Sequence, residues 1–274
     1  MIQIKAAHKN RLDDKLIYNR SKTILNFCLR PLSSKDLNTF VCMKPKDITL
    51  GVLGGMGPGA TAEFMQILAE IAPASCDQEH PRMIVYSHTI TPDRTTYILG
   101  KGPDPYNYLK EGLETLIGWG VGLLVVTCNT AHYFIDQFRD ELSVPLVHIV
   151  EETIRKASEI SPQGAWLTST LGTMRTGLYQ QYAERVGYKL YLPNERQAEE
   201  IHHATDLVKW GRREEAGDLF GKLVDELWSE RRVPIIGACT EIPTAYRKAG
   251  LPDGLLISSL YALAEGCVRE LYYI

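Results

Sequence analysis

The sequence predicts an α/β protein of two pseudo-symmetric lobes, each a mostly parallel sheet flanked by helices, with a site in the cleft between them. Three observations predict it. Apolar runs of strand length alternate with helical segments, the pattern of parallel sheets. A strand running into a polar, Gly-bearing loop occurs at residues 47–59 and again at 165–173, so the pattern restarts midway. Finally, Cys128 and Cys239 each stand just beyond an apolar run, Val121-Gly122-Leu123-Leu124-Val125-Val126 and Val233-Pro234-Ile235-Ile236-Gly237. Such runs suit strands buried on both faces, and open α/β sheets bind ligands at strand carboxyl ends.

In chain order, residues 1–47 form a polar, basic extension with one possible helix near Leu16 to Leu29. A strand from Asp47 to Leu53 runs into Gly54-Gly55-Met56-Gly57-Pro58-Gly59. A helix from Thr61 to Ala72 follows, with apolar positions 64, 67, 68 and 71 at helical spacing. Met83 to Tyr86 is the next strand, Leu109 to Gly118 a helix, and 121–126 the strand that delivers Cys128. Phe134 to Leu142 is helical and Leu146 to Val150 is a short strand. The second round begins with the strand Ala165 to Thr168 and its loop Ser169-Thr170-Leu171-Gly172-Thr173. A helix from Leu178 to Val186, a strand from Lys189 to Leu192 and a long helical region, 196–229, precede the strand that delivers Cys239. The expected division is an extension at 1–47, a first lobe at 48–147 plus 255–274, and a second lobe at 148–254.

Composition is compatible with this plan. A chain of 274 residues, 45% apolar, can build one large domain or two of ordinary size. The formal charge of −3 selects no anionic partner. The extension holds ten Lys/Arg against four Asp/Glu, but without aromatics at a stacking spacing, so a solvated arm is favoured over nucleic-acid binding. No segment reaches the eighteen or so apolar residues of a membrane span, and the start does not suit a secretion signal. Six cysteines without regular spacing read as free thiols in a reducing compartment, with the cytoplasm as the expected location.

Two thiols at two equivalent strand ends place a sulfur on each side of one cleft. That suits moving a proton off one face of a carbon and onto the other. A thiol of ordinary pKa ~8.5 is lowered at a helix N-terminus, where unpaired N–H groups favour the thiolate. Thr130 or Thr240 could donate to sulfur, and Glu241 or His132 could tune its charge. The bland alternative for either cysteine is a small buried hydrophobe.

Leu53-Gly54-Gly55-Met56-Gly57-Pro58, Pro92-Asp93-Arg94, Cys128-Asn129-Thr130-Ala131-His132, Gly172-Thr173 with Gly177-Leu178-Tyr179, and Cys239-Thr240-Glu241-Ile242-Pro243 resemble the aspartate/glutamate racemase superfamily, specifically its aspartate racemase branch. The resemblance covers about 48–270. It implies two α/β lobes with the site between them, no cofactor, a small acidic amino acid as substrate, and a homodimer. It further implies Cys128 as acid/base for one enantiomer, Cys239 for the other, and Arg94 as a substrate-carboxylate ligand. Arg94 also suits this role chemically, since its fork grips a carboxylate bidentately; the alternative is a surface ion pair with Asp93. Arg175, where the family often has Lys, is a candidate for the side-chain carboxylate or a solvated helix-start cation. Met56, Gly57, Asn129, Thr130, Thr173, Thr240 and Glu241 complete the expected substrate contacts.

Other readings are weaker. Gly57-x-Gly59-x-x-Ala62 approaches a dinucleotide fingerprint, but Pro58 lies inside it and the next strand lacks a terminal acid. Its glycines better suit close backbone approach to a small anionic substrate. His202-His203 could suggest a metal, yet adjacent histidines do not share a helix face, and no metal is expected. Ala238, Thr127 and Ser87-His88-Thr89 depart from the family pattern and could shift the substrate away from aspartate. The expected activity is therefore cofactor-independent racemisation of aspartate, with glutamate second. A superfamily isomerase or decarboxylase on a small dicarboxylate, or an inactive amino-acid-binding protein, are the alternatives.

Overall fold

The computed structural model describes residues 45–272; the extension up to residue 44, with its possible helix and with Cys28 and Cys42, lies outside the described residues. Two four-stranded sheets, all parallel, form the frame. The first holds β1 (Leu50–Gly54), β2 (Met83–Ser87), β3 (Leu123–Val126) and β4 (Leu146–Val147) in the order β2-β1-β3-β4. The second holds β5 (Ala165–Ser169), β6 (Leu190–Tyr191), β7 (Ile235–Ala238) and β8 (Leu256–Ser258) in the order β6-β5-β7-β8. Each sheet therefore repeats one topology, and Cys128 and Cys239 follow the third strand of each. Every residue of β1, β3, β5 and β7 is buried, because helices cover both faces of these inner strands.

The helices are α1 (Pro58–Ile71), α2 (Arg94–Ile98), α3 (Tyr106–Gly118), α4 (His132–Ile135), α5 (Ile149–Ile160), α6 (Leu171–Thr176), α7 (Leu178–Arg185), α8 (Glu195–Lys209), α9 (Arg213–Glu230), α10 (Ile242–Lys248) and α11 (Ser259–Leu271). Local chemistry sets their starts. Pro58 opens α1, Asp93 caps α2 by accepting from the Thr96 N–H, and Asn194 with Gln197 forms a capping box on α8. The helical region expected over 196–229 divides at Gly211, whose φ of 80° only glycine adopts easily. The strand expected over 146–150 stops at Val147, because His148 accepts the Glu151 N–H and starts α5 with two acidic residues in its first turn. The helix expected over 134–142 is two short pieces, α4 and a 3₁₀ turn at Arg139–Glu141.

One apolar cluster runs through both lobes, from Leu50, Phe64 and Val125 to Leu167, Tyr179 and Ile236, with Ile154, Leu260 and Leu263 of α5 and α11 between them. Separate clusters fill the outer face of each sheet. The segment after residue 255 serves both halves: β8 hydrogen-bonds to β7 of the second sheet, while α11 packs against α1 and α5. The lobes are thus fused along one side, and the cleft opens where the carboxyl ends of β1, β3, β5 and β7 face each other. Among the described residues, no helix is long and apolar enough to cross a membrane.

Candidate active site

One cavity collects Met56, Arg94, Cys128, Asn129, Thr130, Cys239, Thr240 and Glu241, together with Asp93, Thr95, Thr170 and Lys209. Its volume is about 20 Å³, close to that of a single water. Both thiols are buried and neither is in a disulfide.

The first lobe builds its half around the Gly-rich loop. A Cβ on Gly55 (φ 88°) would stand 2.7 Å from the His88 backbone nitrogen, so this glycine serves close approach of the 88–89 loop, not of a ligand. The Thr61 hydroxyl accepts from Gly55 N and pairs with the Thr127 hydroxyl at 3.0 Å, which ties the end of β3 to the start of α1. Thr127 therefore has a structural partner. His88 is buried against Thr91 and does not line the cavity.

Arg94 is the first residue of α2 and only 7% exposed. Its Nη1 donates to the carbonyls of Thr91 and Pro92 and its Nη2 to that of Met56. Its Nε is buried with no partner. The ion pair with Asp93 does not form: that carboxylate accepts from the N–H and hydroxyl of Thr96 at 2.7 and 2.8 Å. Burial works against the Asp93 charge, but those bonds and the nearby Arg94 and Lys209 outweigh it and hold the carboxyl below its ordinary range. A buried guanidinium bonded only to carbonyls keeps a positive charge that no bonded carboxylate offsets.

Beyond β3, the loop after Cys128 is a tie to the second lobe. Asn129 accepts from the Tyr179 hydroxyl at 2.6 Å and donates to Ser259 at 3.0 Å. The Thr130 hydroxyl lies 3.0 Å from that of Thr170 and 2.8 Å from that of Thr173. Thr173 is fully buried in this knot and, unlike Thr170, stays out of the cavity wall. His132 turns away from the sulfur: its Nδ1–H donates to the Cys128 carbonyl at 2.8 Å, and burial beside His148 pushes its pKa well down, so it is neutral. Neither threonine donates to a sulfur.

The loop beyond β7 carries charge instead. Cys239 Sγ–H donates to Glu241 Oε2 at 3.1 Å, and the Thr240 hydroxyl donates to the same oxygen at 2.8 Å. Burial, and then the Glu241 carboxylate, raise the Cys239 thiol well above its ordinary pKa, only partly opposed by Lys209. This reverses the expected lowering at a helix start, because burial and then an adjacent carboxylate outweigh a short helix's end. Glu241 also faces the first lobe, 3.1 Å from where a Cβ on Gly57 would stand. Gly57 thus makes room for the acid and is not itself in the cavity lining.

Arg175 is elsewhere. Its side chain is 57% exposed, pairs with Glu195 at 3.6 Å and does not line the cavity. The second cation of the cavity is Lys209, at the end of α8, which sequence reading passed over within a charge-rich helix. Burial opposes its charge, yet Cys239, Glu241, Asp206 and Asp93 around it raise its pKa. The available signal was its spacing: it shares one helical face with His202 and Asp206.

Similarity to known proteins bears on the fold and the family. The broad specificity amino-acid racemase RacX of Bacillus subtilis is 27% identical over 201 residues, covering 70% of this chain and 85% of that one. A Picrophilus torridus aspartate racemase structure superposes with a TM-score of 0.68 at 22% identity, over 82% of this chain and 100% of that one. An aspartate racemase homologue from Pyrococcus horikoshii OT3 gives 0.61 at 22% identity, over 81% and 97%. The family model "Asp/Glu/Hydantoin racemase" matches residues 53–265, from the Gly-rich loop through both cysteines, and the chain belongs to that family.

Proposed function

We propose that this protein is a cofactor-independent amino-acid racemase that interconverts L- and D-aspartate, with glutamate second, by passing the α-proton between Cys128 and Cys239. The observation that carries the reading is the shared cavity: two thiols at equivalent strand ends with a buried, anion-ready Arg94 beside them. Arg94 takes the α-carboxylate and Lys209 the side-chain carboxylate. With the substrate so fixed, one sulfur removes the α-proton as thiolate. The other, as thiol, delivers a proton to the opposite face, and the two exchange states in each turnover. In the resting protein Cys239 is the proton donor, because its hydrogen bond to Glu241 retains the proton. Met56, Asn129, Thr130 and Thr240 shape the wall, with Asn129 and Thr130 acting through the cross-lobe bonds they make. A homodimer in the cytoplasm is part of the same reading.

Incubation with aspartate in D₂O, without added pyridoxal phosphate, metal or nucleotide, tests it. Deuterium should appear at the α-carbon alongside the opposite enantiomer; a strict requirement for an added cofactor would end the proposal. A second reading, turnover of amino acids beyond the acidic pair, is favoured by one observation. Lys209 already has Asp206, Asp93 and Glu241 around it, which weakens its pull on a further carboxylate. Kinetics on acidic, neutral and basic amino acids separate the two.

A further inference from the structure

His202, Asp206 and Lys209 occupy positions i, i+4 and i+7 of α8 and share one face. Asp206 stands between the other two: its Oδ1 is 3.8 Å from Lys209 Nζ and its Oδ2 is 3.8 Å from His202 Nε2. The imidazole is largely buried and its Nδ1 has no hydrogen-bond partner. Burial lowers the pKa of His202, so near neutral pH it is uncharged and leaves the carboxylate's charge to the lysine. His203 points the other way and packs on Trp210 at 6.1 Å. The remaining charged groups facing Lys209 come from other elements: Asp93 from the cap of α2, and Cys239 and Glu241 from the loop after β7.

A lysine carries a point charge on a flexible four-carbon stem, so an ammonium that must meet a carboxylate repeatedly has to be held in place. Arg94 is held by three carbonyls. For Lys209, Asp206 is the carboxylate within ion-pair reach among the described residues. The ion pairs of Arg196 near the start of the same helix differ, since they lie at the surface, away from the cavity.

We propose that Asp206 is a positioning residue: with His202 against its second oxygen, it holds the Lys209 ammonium at the cavity wall, ready for the substrate's second carboxylate. This rests on the acidic-amino-acid reading of the cleft. Asp206 touches no reacting atom, so its removal should weaken binding while sparing the proton transfers.

Steady-state racemisation of aspartate and calorimetric binding of succinate, compared among wild type, Asp206→Asn, Asp206→Glu, Lys209→Ala and the Asp206→Asn/Lys209→Ala double variant, test the proposal. Asp206→Asn should raise the aspartate KM and the succinate Kd by about tenfold, with kcat changed by less than about threefold. Asp206→Glu should recover most of the loss, and the double variant should be no worse than Lys209→Ala alone. An unchanged KM and Kd in Asp206→Asn overturns the proposal. So do additive losses in the double variant, or an equal loss in Asp206→Glu with a lowered Tm, because these describe a structural role. A wild type that binds no succinate overturns it as well. If aspartate is not racemised but succinate binding still depends on Asp206, the racemase reading fails and the positioning role stands.

Discussion

Replacing Glu241 by glutamine isolates the charge that distinguishes the two cysteines. Glutamine keeps the size of the side chain and an oxygen that can still accept from Thr240, but removes the negative charge 3.1 Å from Cys239 Sγ. Two unit charges at that separation repel by about 5 kcal/mol at an effective dielectric of ~20 and by about 1.3 kcal/mol in bulk water. At 1.36 kcal/mol per pH unit, the Cys239 thiol should ionise about one to four units lower in the variant. Turnover needs one thiolate and one thiol, so kcat/KM falls at alkaline pH when the second sulfur loses its proton. The sign follows: in wild type the raised Cys239 pKa keeps the donor protonated far into the alkaline range, and Glu241→Gln should bring that limb down by at least one unit. The acid limb should barely move. L- and D-aspartate have equal free energy, so the two directions share one kcat/KM at every pH, and the limb must shift equally in both. Chiral chromatography of initial rates from pH 5 to 11 gives the profile. Iodoacetamide labelling followed by mass spectrometry gives the order in which the sulfurs react, Cys128 first in wild type and a smaller difference in the variant. An alkaline limb that stays in place, with labelling order unchanged, would refute the assignment of Cys239 as the Glu241-bound donor.

Three further outcomes are expected. Arg94→Ala should cost about 2–4 kcal/mol of transition-state stabilisation in kcat/KM, and Arg94→Lys should recover little because an ammonium cannot reproduce the fork; a wild-type value for the alanine variant would place Arg94 outside the site. Cys128→Ser and Cys239→Ser should each abolish net racemisation while retaining α-deuterium exchange from opposite enantiomers; near wild-type racemisation by either serine variant would make that cysteine a structural thiol at most. Gly172→Ala should lower Tm and activity together, because its Cβ would stand 2.7 Å from Thr95 Oγ1 and 3.0 Å from Thr95 Cα, forcing α2 and α6 apart; unchanged melting would show that the lobes accommodate it without strain.

The inner strands were legible because parallel strands covered on both faces must be apolar throughout, and Cys128 and Cys239 were legible because each breaks such a run. Arg94 was singled out by its fork chemistry, its place after β2 and, decisively, the family resemblance. What the sequence did not disclose depends on contacts between distant segments. Thr130 and Thr173 look alike as loop hydroxyls, yet they bond to each other across the lobes, and only Thr130 reaches the cavity. Arg175 was read as a helix-start cation and Lys209 lay unnoticed inside the helical region expected over 196–229, yet the first meets Glu195 in solvent and the second faces Cys239. Helix α5 was hidden because Val147-His148-Ile149 reads as more strand, until the histidine ring is seen to cap a helix.

The two halves repeat a topology but divide the labour of the cleft. After β3 the chain spends its polar groups on distant segments: Asn129 bonds to Tyr179 of the opposite lobe and to Ser259 at the start of α11, and Thr130 to Thr170 and Thr173 of the opposite lobe. After β7 the equivalent positions turn to their own cysteine: Thr240 donates to Glu241, and the same Glu241 oxygen accepts from the Cys239 sulfur. Cys128 therefore sits on the segment that locks the lobes together, and Cys239 on the segment that holds charge. A strictly symmetric pair would hold its proton on either sulfur equally, and two enzyme forms would share the population. An acid beside one sulfur only makes one form dominant. By the proposed mechanism, the free protein then favours the enantiomer presented to the Cys128 thiolate, and the opposite enantiomer meets its competent form rarely. Because kcat/KM must still be equal in the two directions, that bias has to appear as matched differences in kcat and KM. The asymmetry of the two loops thus sets saturation behaviour, while the symmetry of the two strand ends permits the reaction at all.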